Sequence, residues 1–233
     1  MSFFQDMIAV LKKRKLVFIE SCKKSEDVYT FVFEKEIDLT WKAGQHGLFS
    51  ITHQKVKNPT KPFTISSAPN ENVVKITMKI KDNPSDFKKA MLELKQGMTM
   101  GMSGPLGSFN ADNDRPAVLI AGGIGITPFR SIIKQIESAE NPNTKPIHLL
   151  YMDSEKSFIF KEELDASKAS INTAYLDSRD NLQQEIDKLS NLYQNNAQYL
   201  IAGPKSMADS IADYLLKSNI SKKNIKKDAF YGY

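Results

Sequence analysis

The chain has 233 residues and a mass of 26.3 kDa, a length that suits one large domain or two modest ones. Hydrophobic residues make up 41% and charged residues 25%, which excludes a collagen-like or wholly disordered protein. The single cysteine, Cys22, excludes an internal disulfide, a cysteine-ligated zinc site and an iron–sulfur cluster. Redox chemistry would therefore need a bound organic cofactor, and the net charge of +5 is too small to predict nucleic-acid binding.

The first fifteen residues place apolar side chains at helical spacing before a basic run that ends at Lys15. We expect Met1–Lys15 to form a helix that packs on its own domain, with contact to a membrane surface or a partner as the alternative. No stretch of ~20 apolar residues predicts a transmembrane segment, and charges that follow the apolar residues are the reverse of a secretory signal. These features predict a cytoplasmic protein.

The first half of the chain, residues 1–110, carries short β-branched and aromatic runs separated by turn residues. Only one helix is predicted after the N-terminal one, at about Ser85–Leu94. An antiparallel barrel, closed or nearly closed, is the fold that this pattern favours. The predicted strands are LVFIESC, DVYTFVF, QHGLFSI, FTISS, VVKITMKI and MTMGM.

The second half, residues 116–233, alternates strands with helices after the polar boundary segment ADNDRP. Such alternation predicts right-handed crossovers and a parallel sheet covered by helices, an α/β nucleotide-binding domain. The predicted strands are PAVLIAGG, PIHLLYM, INTAYLD, QYLIAG and a last one near Ile225–Ala229. The predicted helices are TPFRSIIKQIE, SFIFKEELDA, NLQQEIDKL and KSMADSIADYLLKS.

A glycine-rich turn, Gly122–Pro128, leads from the first of these strands into a helix. Bare backbone N–H groups at a helix start suit a pyrophosphate, and we expect Thr127 as the N-cap and Pro128 as the first helical residue. The dinucleotide fingerprint is incomplete because Pro128 stands at the third glycine position. A phosphate-bearing ligand and a purely structural turn both remain open.

Two features of the first half could bind an anionic cofactor. The run Lys61-Pro62-Phe63-Thr64 offers a cation, an aromatic ring and a hydroxyl along one strand, although a core phenylalanine on an edge strand is the simpler reading. Asn83-Pro84-Ser85-Asp86 opens a helix after a strand and is receptive to an anion, although most such starts are only caps.

Taken in order, these segments resemble the ferredoxin–NADP(+) reductase family of flavoproteins over nearly the whole chain. The resemblance also rests on Gly104-Pro105-Leu106-Gly107-Ser108-Phe109, on Gly203-Pro204-Lys205-Ser206-Met207 and on the aromatic end Asp228-Ala229-Phe230-Tyr231-Gly232-Tyr233. It implies an N-terminal FAD-binding barrel and a C-terminal domain that binds NADPH or NADH.

The resemblance also implies roles in FAD binding. Lys61 meets the pyrophosphate, Phe63 packs on the flavin, and the Thr64 hydroxyl lies near flavin N5. Pro62 belongs to the same cofactor-binding motif. Lysine replaces the family's arginine at position 61 and lacks its bidentate fork, which predicts looser FAD binding. The second FAD element corresponds to Ser85 and Lys88.

The nicotinamide-nucleotide site implied by the resemblance lies at two glycine turns. Ala202 stands where many relatives have a cysteine that helps to position the nicotinamide. Residues implied in this site are Gly122, Gly123, Gly125, Thr127, Gly203, Pro204 and Met207.

At the C-terminus, the resemblance implies that Asp228 handles a proton near the flavin and that Phe230 covers its ring; a structural aromatic plug is the alternative for Phe230. Ser178 and Arg179 match the pair that binds the 2′-phosphate of NADPH in relatives. The signal is mixed, because Asp153 stands where some relatives have a basic residue and Asp177 adjoins the pair. We expect NADPH, with NADH as the alternative.

The resemblance implies an FAD-dependent NAD(P)H oxidoreductase that moves hydride from NADPH to FAD and then electrons to a separate carrier, such as ferredoxin or flavodoxin. The alternatives are a reductase of small diffusible acceptors, such as free flavin, quinone or ferric chelate, and an electron-transfer subunit of a larger enzyme. The three histidines, His46, His53 and His148, are scattered and predict no metal site.

Overall fold

A computed structural model describes residues 12–112, 114–138 and 145–230 of the chain. The residue contacts divide the chain into two compact units, Met1–Ser108 and Phe109–Tyr233. The second unit opens on Phe109, whose ring packs against that of Phe129 with the centroids 5.7 Å apart. None of the helices formed by the described residues is long and apolar enough to cross a membrane.

The first unit is a six-stranded antiparallel sheet with strand order β4-β3-β6-β1-β2-β5. Among the described residues of this unit, one helix, α1 (Asp86–Leu92), and a 3-10 turn at Pro69–Glu71 accompany the sheet. Five of the six predicted strands and the predicted barrel-like class are confirmed; the remaining one, FTISS, overlaps β4 only at Phe63 and Thr64. The strands are β1 (Lys13–Lys23), β2 (Val28–Glu34), β3 (His46–Ile51), β4 (Thr60–Thr64), β5 (Val73–Lys79) and β6 (Thr99–Leu106).

Alternation of apolar residues builds the core of this unit. Leu16 and Phe18 of β1, together with Phe31 and Phe33 of β2, are buried on one face and belong to a single apolar cluster. Each such side chain contributes about 1.5–3 kcal/mol when it leaves water. The Phe18 ring meets the Phe33 ring edge-on at 5.6 Å, which fixes the pairing of the two strands.

The two edge strands of this sheet approach each other and nearly close the barrel. After β4 ends at Thr64, the Ile65 N–H donates to the Gln45 carbonyl at 3.0 Å. The next residue, Ser66, donates its N–H to the Lys75 carbonyl of β5 at 2.8 Å. The chain thus passes from one edge of the sheet to the other within two residues.

Strand β4 spans Thr60–Thr64, so it both begins and ends three residues earlier than the predicted strand FTISS. Proline usually disrupts a central strand, but Pro62 lies on an edge strand that pairs only with β3 within the sheet.

The predicted N-terminal helix is wrong where the structure describes it, since Lys13–Lys15 belong to β1 and pair with β6; residues 1–11 lie outside the described residues. The cause is a long-range contact: the buried Arg14 guanidinium binds Glu36 at 2.6 Å and Asp38 at 2.7 Å. The Arg14 guanidinium, together with the Lys12 ammonium, holds the pKa of Asp38 well below its usual range.

The second unit is a five-stranded parallel sheet with strand order β11-β10-β7-β8-β9. Every residue of the central strand β7 is buried, as expected for a parallel strand with both faces covered. The strands are β7 (Ala117–Gly122), β8 (Ile147–Met152), β9 (Ile171–Leu176), β10 (Gln198–Pro204) and β11 (Ile225–Phe230). The helices are α2 (Ile126–Glu137), α3 (Lys161–Asp165), α4 (Arg179–Tyr193) and α5 (Lys205–Lys217).

Strand order places β7 between β8 and β10, so the chain leaves β7 toward one side of the sheet and returns on the other. Ligands of open α/β sheets bind at such a switch point, beyond the carboxyl ends of the strands. The predicted α/β class is confirmed. The strand order places the candidate ligand site at the residues that follow β7 and β10.

Helix α3 is shorter than the predicted helical segment SFIFKEELDA. Phe158 and Phe160 adopt left-handed backbone conformations with φ of 34° and 66°, which a right-handed helix does not contain. The helix therefore begins only at Lys161.

Candidate functional site

Strand β4 carries four predicted site residues in two environments. Lys61 and Pro62 are exposed, Phe63 is half-buried and Thr64 is buried. The Phe63 ring stacks on Phe87 of α1, with centroids 5.5 Å apart and an interplanar angle of 30°. Phe63 is therefore a core contact that also keeps part of its ring accessible, and it links β4 to the start of α1.

Helix α1 brings the second predicted FAD element close to this strand. Ser85 precedes the helix, is exposed and makes no side-chain capping bond. Lys88 is half-buried, and its pKa is lowered by burial and by the nearby cation Lys81. An anion placed beside Lys88 would stabilise its charged form and so oppose both effects.

The donor set of this unit fits FAD. Its pyrophosphate needs cations, which Lys61 and Lys88 provide, and its planar ring needs an apolar partner such as the accessible part of Phe63. The Thr64 hydroxyl adds a polar group at the buried end of the same strand.

In the second unit, the glycine turn after β7 forms a 3-10 turn at Gly123–Gly125 that runs directly into α2. Gly123 has φ of +53°, and a Cβ built on it would meet no atom within 4 Å, so a ligand could approach its backbone. No side chain caps the start of α2. The Ile126 N–H donates to the Gly123 carbonyl and Pro128 has no N–H, so among these first three helical residues the Thr127 N–H is the one that could receive an anion.

The predicted N-cap role of Thr127 is wrong. Gly125 occupies the N-cap, and both Thr127 and Pro128 lie within the first turn of α2. The Thr127 side chain donates instead to the Ile124 carbonyl at 3.1 Å, because the preceding 3-10 turn starts the helical path earlier.

The turn after β7 packs closely on the end of β10. A Cβ on Gly125 would overlap the Ala202 carbonyl and lie 2.8 Å from the Gly203 Cα, and one on Gly203 would lie 3.2 Å from the Gly122 Cα. A Cβ on Gly122 would meet the end of the Met207 side chain. The structure therefore brings together predicted site residues that are about 80 positions apart: Gly122, Gly125, Gly203, Pro204 and Met207.

Strand β11 adds the predicted C-terminal residues to the same edge of the sheet. Asp228 is half-buried and pairs in register with the buried Ala202, and Phe230 pairs with Pro204. The predicted role of Phe230 depends on its side chain, which the structure does not describe. Tyr231 and Tyr233 also lie outside the described residues.

The residues predicted to select the nucleotide lie at the start of α4. Ser178 is its N-cap and accepts from the Asn181 N–H at 3.2 Å, and Arg179 is exposed in the first turn. Asp177 pairs with Lys156 at 2.8 Å, which lowers the pKa of the Asp177 carboxyl. Asp153 follows β8 and accepts from the Glu155 N–H at 2.9 Å.

Lys156 was missed by sequence reasoning. It adopts a left-handed conformation, φ 54°, in the irregular segment between β8 and α3, and this turn carries its ammonium to Asp177 at the end of β9. A lysine among several in a polar segment gives no local signal of this contact.

Metal ligands do not cluster in the ranges that the structure describes: they contain no group of three or more His, Cys, Asp or Glu residues able to hold an ion. His46 lies in β3, His53 in the loop after it and His148 in β8.

Comparison with known proteins assigns a different family model to each half of the chain. Residues 10–127 match the family model described as an FAD-binding domain, and residues 119–213 match the oxidoreductase NAD-binding domain. The first unit thus matches an FAD-binding domain, and the second matches an oxidoreductase NAD-binding domain. The chain belongs to the ferredoxin–NADP(+) reductase-like family of FAD- and NAD(P)H-dependent oxidoreductases.

The curated relatives named here are 26% to 30% identical to the chain over the aligned residues. Flavohemoprotein B of Dictyostelium discoideum is 26% identical over 76% of the chain and 46% of its own length. The toluate 1,2-dioxygenase electron transfer component of Pseudomonas putida is 26% identical over 73% and 54%. NADH-cytochrome b5 reductase 1 of Mortierella alpina is 30% identical over 66% and 52%. The chain spans about half the length of these relatives.

Among solved structures, the ferredoxin-NADP+ reductase of Plasmodium falciparum superimposes with a TM-score of 0.81 at 21% identity, covering 95% of this chain and 97% of that one. The flavohemoglobin of Malassezia yamatoensis, solved with FAD and heme, gives a TM-score of 0.74 at 19% identity over 94% and 60%. These similarities establish the fold.

Proposed function

We propose that the protein takes hydride from NADPH and passes electrons to a separate one-electron carrier, with ferredoxin or flavodoxin as the acceptor. The observation that carries this proposal is the packing of the uncapped start of α2 on Gly203 of β10, which leaves a glycine-lined edge for a dinucleotide. FAD, when bound, supplies the chemistry that accepts a hydride and releases electrons singly.

The first unit holds the flavin cofactor. Lys61, Ser85 and Lys88 bind its pyrophosphate, and Pro62 shapes the strand beside it. Phe63 supports the ring system, because one side of its ring is fixed by Phe87 and the remainder is accessible. Thr64 offers a hydroxyl at the reacting nitrogen.

The second unit holds the nicotinamide nucleotide. The backbone of Gly122, Gly123, Gly125 and Thr127 binds its phosphates, and Gly203, Pro204 and Met207 form the opposite wall. Asp228, half-buried beside Ala202, is the proposed proton-holding carboxyl of this unit, and Phe230 ends the same strand.

NADPH is favoured over NADH by the charges at the start of α4. Arg179 offers an exposed guanidinium, which suits a 2′-phosphate, and Ser178 adds a hydroxyl. A carboxylate would suit the 2′-hydroxyl of NADH, but the nearby Asp177 already pairs with Lys156. This pairing reduces the negative charge that a 2′-phosphate would meet.

An acidic carrier is favoured by the distribution of charge. Lysine and arginine outnumber aspartate and glutamate in Met1–Ser108, whereas acidic residues slightly outnumber basic ones in Phe109–Tyr233. The net positive charge therefore belongs to the proposed flavin unit, from which electrons leave. A relative named as an electron transfer component supports the same type of partner.

A visible spectrum tests the proposal. The purified full chain, incubated with FAD and freed of excess, is expected to be yellow, and anaerobic NADPH is expected to bleach it faster than NADH does. A preparation that stays colourless contradicts the FAD assignment. A yellow protein that neither nucleotide bleaches contradicts the reductase activity, and faster bleaching by NADH contradicts the choice of NADPH.

A further inference from the structure

A chain of buried hydroxyl groups connects strands β2 and β5 to the segment that follows β4. The Thr30 and Thr77 hydroxyl oxygens are 2.9 Å apart, and the Thr77 and Ser66 oxygens are 3.1 Å apart. Ser66 donates to the Lys75 carbonyl at 3.1 Å. All three hydroxyl residues are at most 5% exposed, so these bonds form away from water.

The order of donors in this chain follows from the number of protons. Each hydroxyl has one proton to donate. With the Ser66 proton on the Lys75 carbonyl, the Thr77 hydroxyl donates to Ser66 and the Thr30 hydroxyl donates to Thr77. The two hydroxyl–hydroxyl bonds therefore point from β2 through β5 to the segment after β4, and the Ser66 proton then returns to the backbone of β5. In such a continuous chain, successive hydrogen bonds strengthen one another.

The neighbouring Ser67 reinforces the same crossing. Its hydroxyl donates to the Val73 carbonyl at 2.8 Å and accepts from the Lys75 N–H at 3.0 Å, and its carbonyl accepts from the Trp41 indole at 3.0 Å. The barrel is therefore closed at this point by directional polar bonds in addition to apolar contacts.

Register is the property that such bonds control. Strand β4 has five residues and pairs only with β3 within the sheet, so its own ladder constrains it weakly. A slip by one residue would exchange the faces of Phe63 and Thr64. It would also break the Ser66–Thr77 bond, two residues beyond Thr64.

We propose that Thr30, Thr77 and Ser66 are positioning residues that hold β4 in the register that presents Phe63 and Thr64 to the flavin. This inference rests on the proposed function. The inference goes beyond the proposed function because none of the three residues belongs to the proposed cofactor contacts. Their effect on flavin binding is exerted through the position of β4.

A matched pair of substitutions isolates the central hydroxyl. Thr77→Val keeps the shape of the side chain and removes the bond to Ser66, and Thr77→Ser keeps the hydroxyl. Thr52→Val is the control, because the Thr52 hydroxyl donates to the Thr99 carbonyl at 2.7 Å on the exposed side of the same unit. For each full-length variant, the dissociation constant of FAD, the visible circular dichroism of bound flavin and the melting temperature without FAD are measured.

Thr77→Val is expected to raise the FAD dissociation constant about five- to tenfold and to change the visible circular dichroism. Thr77→Ser is expected to stay within about twofold of the wild type, as is Thr52→Val. Wild-type FAD affinity and dichroism in Thr77→Val overturn the proposal, even if the melting temperature falls, because the chain would then be structural only.

Two further results are decisive. If Thr77→Val does not fold, Thr30→Val replaces it, since that change removes the first donor and leaves no proton unpaired; unchanged FAD affinity and dichroism would again overturn the proposal. If the wild type binds no FAD, the proposed function fails and this inference with it. A wild type that binds FAD, with variants that bind it identically, refutes the positioning role alone.

Discussion

Gly125 lies against Ala202 so closely that any side chain on it would overlap the Ala202 carbonyl. The contact joins the start of α2 to the end of β10 through backbone atoms alone, and backbone cannot rotate away as a flexible side chain can. The absence of a side chain at position 125 therefore sets the shape of the glycine-lined edge.

Gly125→Ala is expected to weaken NADPH binding at least about tenfold and to destabilise the fold by about 1–3 kcal/mol, because α2 must move away from β10. Nucleotide titration and thermal melting measure the two effects. Gly97→Ala is the control: Gly97 has φ of +83° but nothing within 4 Å of a Cβ, so the change is expected to cost about 1–2 kcal/mol and leave NADPH affinity unaltered. Wild-type NADPH affinity in Gly125→Ala would contradict the proposed nucleotide edge.

Lys61→Arg is expected to tighten FAD binding about three- to tenfold, because a guanidinium can hold a phosphate through two parallel hydrogen bonds and an ammonium cannot. Lys57→Arg makes the same exchange at an exposed position before the same strand and is expected to have no effect. Equilibrium titration of the flavin-free protein with FAD measures both. Equal affinities for all three proteins would remove Lys61 from the proposed pyrophosphate site.

Much of this architecture follows from local pattern. The β-branched and aromatic run LVFIESC predicts a strand that the structure confirms as part of β1, and the continuous apolar run of β7 predicts a buried strand of a parallel sheet. The order of the two units and the position of the glycine turn could also be predicted, because the signals for both come from residues adjacent in sequence.

What could not be predicted depends on partners distant in sequence. Lys13–Lys15 join β1 because Arg14 binds Glu36 and Asp38, a contact that the apolar spacing before them does not reveal. The late start of α3 depends on the left-handed residues Phe158 and Phe160, and both are residue types that seldom adopt this conformation. Lys156 reaches Asp177 for a similar reason.

Arg179→Gln is expected to raise the KM for NADPH about tenfold or more and to leave that for NADH nearly unchanged, because only NADPH carries the 2′-phosphate. Arg179 is a cleaner probe than Ser178, whose side chain caps α4. Lys188→Gln, an exposed change on the same helix, is the control. Steady-state kinetics with both nucleotides measure the two KM values. An equal rise in the KM for NADH would show that Arg179 does not select the nucleotide.

Electron transfer to an acidic one-electron carrier is expected to slow as ionic strength rises from about 0.05 to 0.5 M, since salt screens attraction between opposite charges. Turnover with an uncharged quinone is expected to be independent of ionic strength. Lys57→Glu, in the positively charged unit, should slow transfer to the carrier severalfold, and Lys217→Glu, in the second unit, should not. Rapid turnover with small acceptors only would instead favour a reductase of diffusible molecules.

His148 gives the second unit a dependence on acidity. Its ring bonds the Tyr193 hydroxyl at 2.9 Å, and burial, with a smaller effect of Lys188, lowers the pKa of His148 below its usual value of about 6.5. Between the lowered pKa and about 6.5, the unfolded chain binds more protons at this residue than the folded chain does. The stability contribution is therefore complete above about pH 6.5 and is lost as the pH falls through the folded pKa.

The melting temperature of the wild type is consequently expected to fall between about pH 7.5 and pH 5, by about 2–4 °C for each kcal/mol lost. His148→Gln is expected to flatten this part of the profile, because the group that titrates is removed. Tyr193→Phe keeps the neighbouring ring, 5.5 Å from the imidazole, and is expected to retain the slope since burial is the main cause of the shift. Thermal melts of the three proteins across this range make the comparison; an unchanged slope in His148→Gln would assign it to other groups.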